Sequence, residues 1–360
     1  MKLATWNVNS LNVRLPQVLD WLQAQATEAP IDVLALQETK LTDDKFPRAE
    51  IEASGHHVAY FGQKTYNGVA LISRHPLQDV VNNIPGFEDD MARVISATVQ
   101  GVRVIGAYFP NGQAPDSDKF VYKMRWLEAL HGYVLASLQP HPQLVLMGDY
   151  NITWDDRDVW DPVGLAGTIH CTDAERAHFK NLLDLGLVDA FRQFEQPEKS
   201  YSWWDYREFG FRRNRGLRID HILVSPSLVA RLTACTIDKA PRKNERPSDH
   251  TPVVVDIAHP PGRGEAARLA SVVQAEFLDF AGDGVAPNAQ FDRRLDAPAP
   301  GVGQRGHDEL GFKAPRQSVP HIRAPRQQQV HGFCFQAQLP VSTRHVEHAR
   351  SGGGIGRQGC

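Results

Sequence analysis

Asn7, Glu38, Tyr108, Asp149, Asn151, Asp220, Asp249 and His250 each stand at or beside the end of an apolar stretch. Strand ends are where a layered α/β protein exposes its chemistry. The clearest case is 144–151, where four apolar residues run into Gly148, Asp149, Tyr150 and Asn151. Gly148 allows a close backbone approach, Asp149 offers a carboxylate that could serve as base or ligand, and the Asn151 amide can donate to an oxyanion. Alone, this stretch reads equally as a strand followed by an Asx turn. Together, four carboxylates, two amides, a phenol and an imidazole form a set of hard oxygen donors with one nitrogen. Such a set suits magnesium or manganese better than zinc or a redox metal. If the strand ends converge on one rim, the chemistry they favour is phosphoryl transfer. Water must be oriented, charge on the phosphorus oxygens stabilised, and a leaving oxygen neutralised.

The elements that would position these groups follow from periodicity. Residues 2–8 alternate as a strand, with Leu3, Thr5 and Asn7 on one face and Ala4, Trp6 and Val8 on the other. A helical stripe over 15–26 follows, with Pro16 in its first turn, and 31–36 is a continuous apolar strand ending at Glu38. Residues 57–61 and 68–73 read as a strand pair, and 93–99 pairs with 102–108 across Gln100 and Gly101. Helices are expected over 118–137 and 174–185, and further strands over 219–224 and 253–257. Between them, the 201–207 segment interleaves Trp203, Trp204 and Tyr206 with Arg207, and Arg212, Arg213, Arg215 and Arg218 follow. Aromatic rings among guanidinium groups suit a surface that tracks nucleic acid, although a core tryptophan beside a solvated loop has the same composition.

Composition narrows the class further. A hydrophobic content of 42% with 9% aromatic residues is that of a packed globular protein, and a formal charge of −3 neither announces nor excludes a nucleic-acid partner. Cys171, Cys235, Cys334 and Cys360 show no CxxC spacing, which argues against structural zinc and suits a reducing compartment. No signal peptide or membrane span is expected, so a cytoplasmic, nucleoid-associated protein and a monomer are the expectation. Near Pro260 the composition shifts to Gly, Pro, Gln, Arg and His without periodicity. The expected organisation is a catalytic domain over 1–259 and a low-complexity, disordered tail over 260–360, with one helix over 265–281.

The motifs TWNVNS at Thr5, LQETK at Leu36, YFPNG at Tyr108, GDYN at Gly148, DVWDP at Asp158, NRGLRID at Asn214 and PSDHTP at Pro247 occur in one order along the chain. In this the chain resembles the exonuclease III family of apurinic/apyrimidinic endonucleases, within the endonuclease/exonuclease/phosphatase superfamily. The resemblance covers about residues 1–258. It implies a four-layered α/β sandwich, two mixed β-sheets packed face to face with helices outside. It also implies Mg2+ as cofactor, with Mn2+ able to substitute, and duplex DNA with abasic sites or 3′ ends as partner. Glu38 would be the principal metal carboxylate, with Asn7, Asp149, Asn151, Asp249 and His250 lining the metal region. Asp149 would orient or deprotonate the attacking water, Asn151 and Tyr108 would bind the scissile phosphate, and His250, oriented by Asp220, would contact that phosphate. Which of Asp149 and the Asp220–His250 pair is the base stays open. Lys40 would add positive charge, and Trp203, Leu217 and Ile219 would form an apolar pocket for a flipped-out abasic sugar. Tyr66, Asn67, Arg93, Arg207 and Arg215 would contact the DNA backbone.

The activity so implied is hydrolysis 5′ to abasic sites, with 3′–5′ exonuclease and 3′-end cleaning on duplex DNA. Two other readings compete: a phosphatase or phosphodiesterase acting on lipid or inositol phosphates, and a DNA-binding relative without catalysis. The aromatic and arginine run opposes the first, and the full set of acids opposes the second.

Overall fold

The computed structural model describes residues 1–27 and 29–259. The expected tail over 260–360 and its helix over 265–281 lie outside the described residues. In chain order the strands are β1 (Lys2–Asn7), β2 (Val33–Gln37), β3 (His57–Phe61), β4 (Val69–Ser73), β5 (Gln78–Asn82), β6 (Val94–Val99), β7 (Val102–Tyr108), β8 (Leu144–Asp149), β9 (Val188–Asp189), β10 (Trp203–Trp204), β11 (Gly216–Leu217), β12 (Asp220–Val224), β13 (Leu232–Ile237) and β14 (Val253–Ile257). The helices are α1 (Leu11–Gln25), α2 (Arg48–Ala53), α3 (Asp118–Leu138), α4 (Asp173–Asp184) and α5 (Pro226–Val229).

Two six-stranded mixed sheets are formed, ordered β13-β14-β1-β2-β4-β3 and β5-β6-β7-β8-β12-β9, with β10 and β11 as a separate ribbon. Alternation along each strand decides what each face meets. Leu3, Val33, Ala35 and Leu71 of the first sheet interlock with Ile95, Val104, Val145 and Met147 of the second. The opposite face of the first sheet, carrying Ala4, Trp6 and Leu34, is covered by Val18, Leu22 and Ile51 of α1 and α2. The outer face of the second packs Ile105, Leu146 and Leu223 against Trp126, Leu130 and Phe179 of α3 and α4. This is the expected four-layered sandwich. At Gly106 a Cβ would stand 3.2 Å from both Ala35 Cβ and Leu71 Cδ2, so the close approach of the sheets favours glycine there.

Both expected hairpins form, with His57 opposite Ser73 and Val94 opposite Ala107. The first helix differs from expectation. It begins at Leu11 because the Ser10 and Leu11 amides donate to the Glu38 and Thr39 carbonyls, which fixes a turn upstream of the apolar stripe. Pro16 therefore lies beyond the first turn, on an exposed face where water can satisfy the Asn12 carbonyl it leaves without a donor. The helix expected over 174–185 runs from Asp173 to Asp184, and Thr172 and Glu175 form a reciprocal capping box at its start. Among the described residues no helix is long and apolar enough to cross a membrane.

Within the outer layer, His221 of β12 is fully buried between Tyr150 and Phe179, and its Nε2 lies 2.8 Å from the Ile152 carbonyl. Burial, reinforced by Arg218, pushes its proton affinity down from an ordinary 6.5 to about 4. The unfolded chain thus binds this proton between pH 6.5 and 4 and the folded chain does not, so stability falls as pH drops through that window. Replacing His221 with Gln should remove this acid-linked loss, on the order of 1–3 kcal/mol. Urea midpoints measured from pH 7 to 4.5 should fall less steeply for the variant, and parallel slopes would contradict the buried neutral ring.

Candidate active site

Register brings the expected residues to one rim. Tyr108 of β7 stands beside Asp149 of β8, and Asp149 beside Asp220 of β12. In the facing sheet Asn7 ends β1 next to the end of β2, which leads into Glu38. Gly148 makes the β7–β8 approach feasible, because a Cβ there would sit 1.8 Å from the Ala107 carbonyl oxygen. Glu38, Lys40 and Asn151 all adopt left-handed backbone, with φ of 53°, 56° and 50°. Non-glycine residues held in this region cost energy, and such strain collects at functional sites.

Asn7 joins the two sheets electrostatically. Its Nδ2 donates to Glu38 Oε1 at 2.8 Å and to Asp149 Oδ2 at 2.9 Å, while its Oδ1 accepts from the Asn9 amide at 2.9 Å. Asn7 thus lines the metal region with its amide nitrogen turned to the two acids. Asp249 is likewise engaged at both oxygens, by Asn9 Nδ2 at 2.9 Å and Trp203 Nε1 at 3.0 Å. The ligand atoms that cluster are those of Glu38, Asp149 and His250, all within 4.8 Å of one another.

His250 directs Nδ1 at both oxygens of Asp220, at 2.9 and 3.1 Å, and holds Nε2 3.7 Å from Asp149 Oδ2. Burial opposes a charged ring, but Asp220 and then Asp149 outweigh it and push its proton affinity up to about 10. With Nδ1 committed to Asp220, Nε2 is the ring atom that faces the site, and in the protonated ring it is a donor. Asp149 is pushed up to about 7, chiefly by burial, with His250 opposing and Asp220 and Glu38 adding to the rise. Burial, Glu38 and Asp149 raise the Tyr108 phenol well above its ordinary value, so it remains a donor. Crowded buried carboxylates short of positive charge, all with oxygen donors, fit a hard divalent cation. Lys40 compensates only part of the charge, contacting Glu38 Oε2 at 2.9 Å and Asn9 Oδ1 at 2.5 Å.

Beside the carboxylates opens a cleft of about 640 Å3 lined by Trp203, Leu217, Leu165, Trp160, Asn111 and His170, with Arg207 and Arg215 at its rim. Trp203 and Leu217 are opposite partners in the β10–β11 ribbon. Ile219 is 2% exposed and packs behind this wall instead of lining it, which corrects its expected place in the pocket. Arg215 stacks 5.0 Å from the Trp160 ring, and Arg207 folds onto Asp205 at 2.6 Å. Tyr66 is freely exposed at 68%. Asn67 is buried, its amide donating to Gln63 Oε1 at 2.9 Å, so its expected backbone contact gives way to a role in holding the loop. Arg93 is also partly committed, with its guanidinium over the Tyr108 and Tyr122 rings and NH1 on the Tyr108 carbonyl.

Sequence reasoning missed Asn9, Asn111 and His170. Asn9 and Asn111 lay inside quoted motifs without a role. His170 carries no local signal: its Nδ1 reaches the Asn151 carbonyl at 2.7 Å only because two distant loops meet.

A four-layered sandwich with acids, amides and one acid-paired histidine on a shared rim defines a metal-dependent phosphoesterase. The sequence matches the Endonuclease/Exonuclease/phosphatase family over residues 4–250, and the chain belongs to that family. It is 35% identical to the exodeoxyribonuclease III of Haemophilus influenzae over 269 residues, covering 70% of this chain and 98% of that one. Among solved structures, the 3′ phosphatase NExo from Neisseria bound to a product DNA hairpin is 50% identical, with a TM-score of 0.69, covering 72% of this chain and all of that one. An AP endonuclease from Archaeoglobus fulgidus is 37% identical with a TM-score of 0.68, covering 71% of this chain and 99% of that one.

The protonated state of His250 depends on Asp220. In metal-free protein, Asp220→Asn should lower the imidazole titration midpoint followed by NMR from about 10 toward the ordinary histidine range. An unchanged midpoint would show that Asp220 does not hold the proton.

Proposed function

We propose that this chain is a magnesium-dependent DNA repair nuclease that processes 3′ ends and incises 5′ to abasic sites in duplex DNA. The observation that carries this reading is the rim itself, where Glu38, Asp149 and the Asp220–His250 pair meet beside a cleft lined by Trp203 and Leu217 and by Arg207 and Arg215, which pair with Asp205 and Glu208. Glu38 and Asp149 would hold a magnesium ion, or manganese in its place, which would supply positive charge to the phosphate. Asp149, at the rim between Asn7 and His250, orients the attacking water and accepts its proton. His250 is the weaker base candidate because its ring is already protonated, and it donates from Nε2 to a phosphate oxygen. The Tyr108 hydroxyl and the uncommitted amide hydrogen of Asn151 donate to the same phosphate. Lys40 adds charge, and Trp203 and Leu217 receive the sugar at the scissile position.

Relatives support the substrate class. The Neisseria structures are described as a 3′ phosphatase and a 3′–5′ exonuclease, and the Archaeoglobus one as an AP endonuclease. In each of these reactions water attacks a DNA phosphate and the 3′ oxygen of the upstream nucleotide leaves; they differ in what the phosphate carries on its other side, which is nothing, a nucleotide or an abasic sugar. Action as a monomer associated with the nucleoid belongs to the same reading.

The test uses two end-labelled duplexes, one with a single internal abasic analogue and one with a 3′ phosphate, each with magnesium or with chelator. Processing is expected in magnesium and abolished by chelation, and Asp149→Asn should lower turnover at least about 100-fold while DNA remains bound. Activity on inositol phosphates with neither duplex touched would overturn the reading.

The pocket is tested separately with Leu217→Ala, because Trp203 also holds Asp249. Truncation of Leu217 should reduce abasic incision about 10-fold more than 3′-phosphate removal. Equal losses would remove the pocket from the account.

A further inference from the structure

Behind the rim, Lys123 of α3 and Glu175 of α4 form an ion pair whose side chains are both completely buried, with Nζ 2.5 Å from Oε1. Burying two charges is costly, and a pair of this kind is weak evidence for stability, so its connections matter more than its existence. The remaining donors of Lys123 go to the Asn151 carbonyl at 2.8 Å and the Asn111 carbonyl at 3.2 Å. Glu175 Oε1 also accepts the His170 amide at 3.1 Å, and Oε2 accepts the Thr172 amide and hydroxyl at 3.1 and 2.7 Å. Each ammonium donor thus has an acceptor, and both carboxylate oxygens are engaged.

Three rim segments distant in sequence meet at this pair: the loop after β7, the end of β8 and the turn before α4. Gly112 lies so close that a Cβ there would be 3.0 Å from Lys123 Cδ, which presses the first loop onto the lysine stem. The second segment carries the strained Asn151, whose carbonyl takes both Lys123 Nζ and His170 Nδ1. With that carbonyl pinned, the Asn151 side chain is set by Phe109, which accepts from Nδ2 at 3.1 Å, and Asn111, which donates to Oδ1 at 3.2 Å.

We propose that the buried Lys123–Glu175 pair is a positioning device for catalysis, holding the left-handed backbone of Asn151 so that its amide meets the phosphate. Neither residue touches the reacting atoms. The inference rests on the proposed role of Asn151.

Lys123→Met/Glu175→Gln removes both charges while keeping approximate shape, and the intact full chain is assayed on a 3′-phosphorylated duplex with magnesium. The turnover number should fall at least about 10-fold with KM changed less than about 2-fold. In an Asn151→Ala background the same pair of substitutions should cost less than about a further 2-fold, because the group being positioned is gone. An unimpaired turnover number, or the same fold-loss in both backgrounds, would overturn the inference. Should the double variant not fold, Glu175→Gln alone is read in the same cycle with the same criteria. Near-normal turnover of Asn151→Ala itself would defeat the role of Asn151, and the inference with it. A crippled Asn151→Ala beside an unimpaired pair variant would defeat the positioning inference alone.

Discussion

Negative charge confined in a small, dry volume is the constraint on which this site depends. Glu38, Asp149 and Asp220 come from three strand ends in two sheets, and at close range in a low-dielectric interior they repel strongly. Each local feature answers that repulsion. Asn7 places one amide nitrogen between Glu38 and Asp149, His250 sits between Asp220 and Asp149, and Lys40 reaches Glu38. The compensation is incomplete, as the raised proton affinity of Asp149 records. The charge deficit that raises Asp149 in the metal-free site is the same deficit that a divalent cation would relieve, returning Asp149 to its charged form.

The sandwich supplies the confinement. A single sheet would spread its strand ends along a line about 4.8 Å apart. Two sheets packed face to face turn that line into a cleft with walls, and the missing Cβ of Gly106 and Gly148 brings the strands close enough to close it. The cost appears as left-handed backbone at Glu38, Lys40 and Asn151, residues anchored by contacts that the rest of the fold supplies. The Asn67 carbonyl holds the Lys40 amide, and Lys123 with His170 holds the Asn151 carbonyl.

Much of this was legible in the sequence because it is local. The apolar run before Gly148, the alternation of β1 and the hairpins each obey one period, and polar residues at their ends mark the rim. Less legible were features set by tertiary contact. β5 is an exposed edge strand without alternating burial, and β9, β10 and β11 have two residues each, too few for a period. The orientation of the Asn7 amide, the burial of Ile219 behind Leu217 and the inward turn of Asn67 depend on neighbours far away in the chain. Residue type identified Asn7 and Asn67 as polar groups near the site, but whether nitrogen or oxygen faces the chemistry is decided by what stands opposite.

Trp203 shows how closely the cleft and the acids are joined. Its ring lines the cleft, its indole N–H donates to Asp249 Oδ2, and its backbone bridges to His250. Asp249 in turn receives Asn9, which accepts from Lys40, which pairs with Glu38. A chain of direct contacts therefore runs from the wall that would receive a sugar to the principal carboxylate. Against the cost of burial, the Asp249 carboxyl is held below its usual range by His250 and by the hydrogen bonds from Trp203 and Asn9, so it stays charged and keeps this chain intact. Under the proposed function, a sugar that displaced Trp203 would disturb the acids, whereas one that fitted beneath it would leave them aligned.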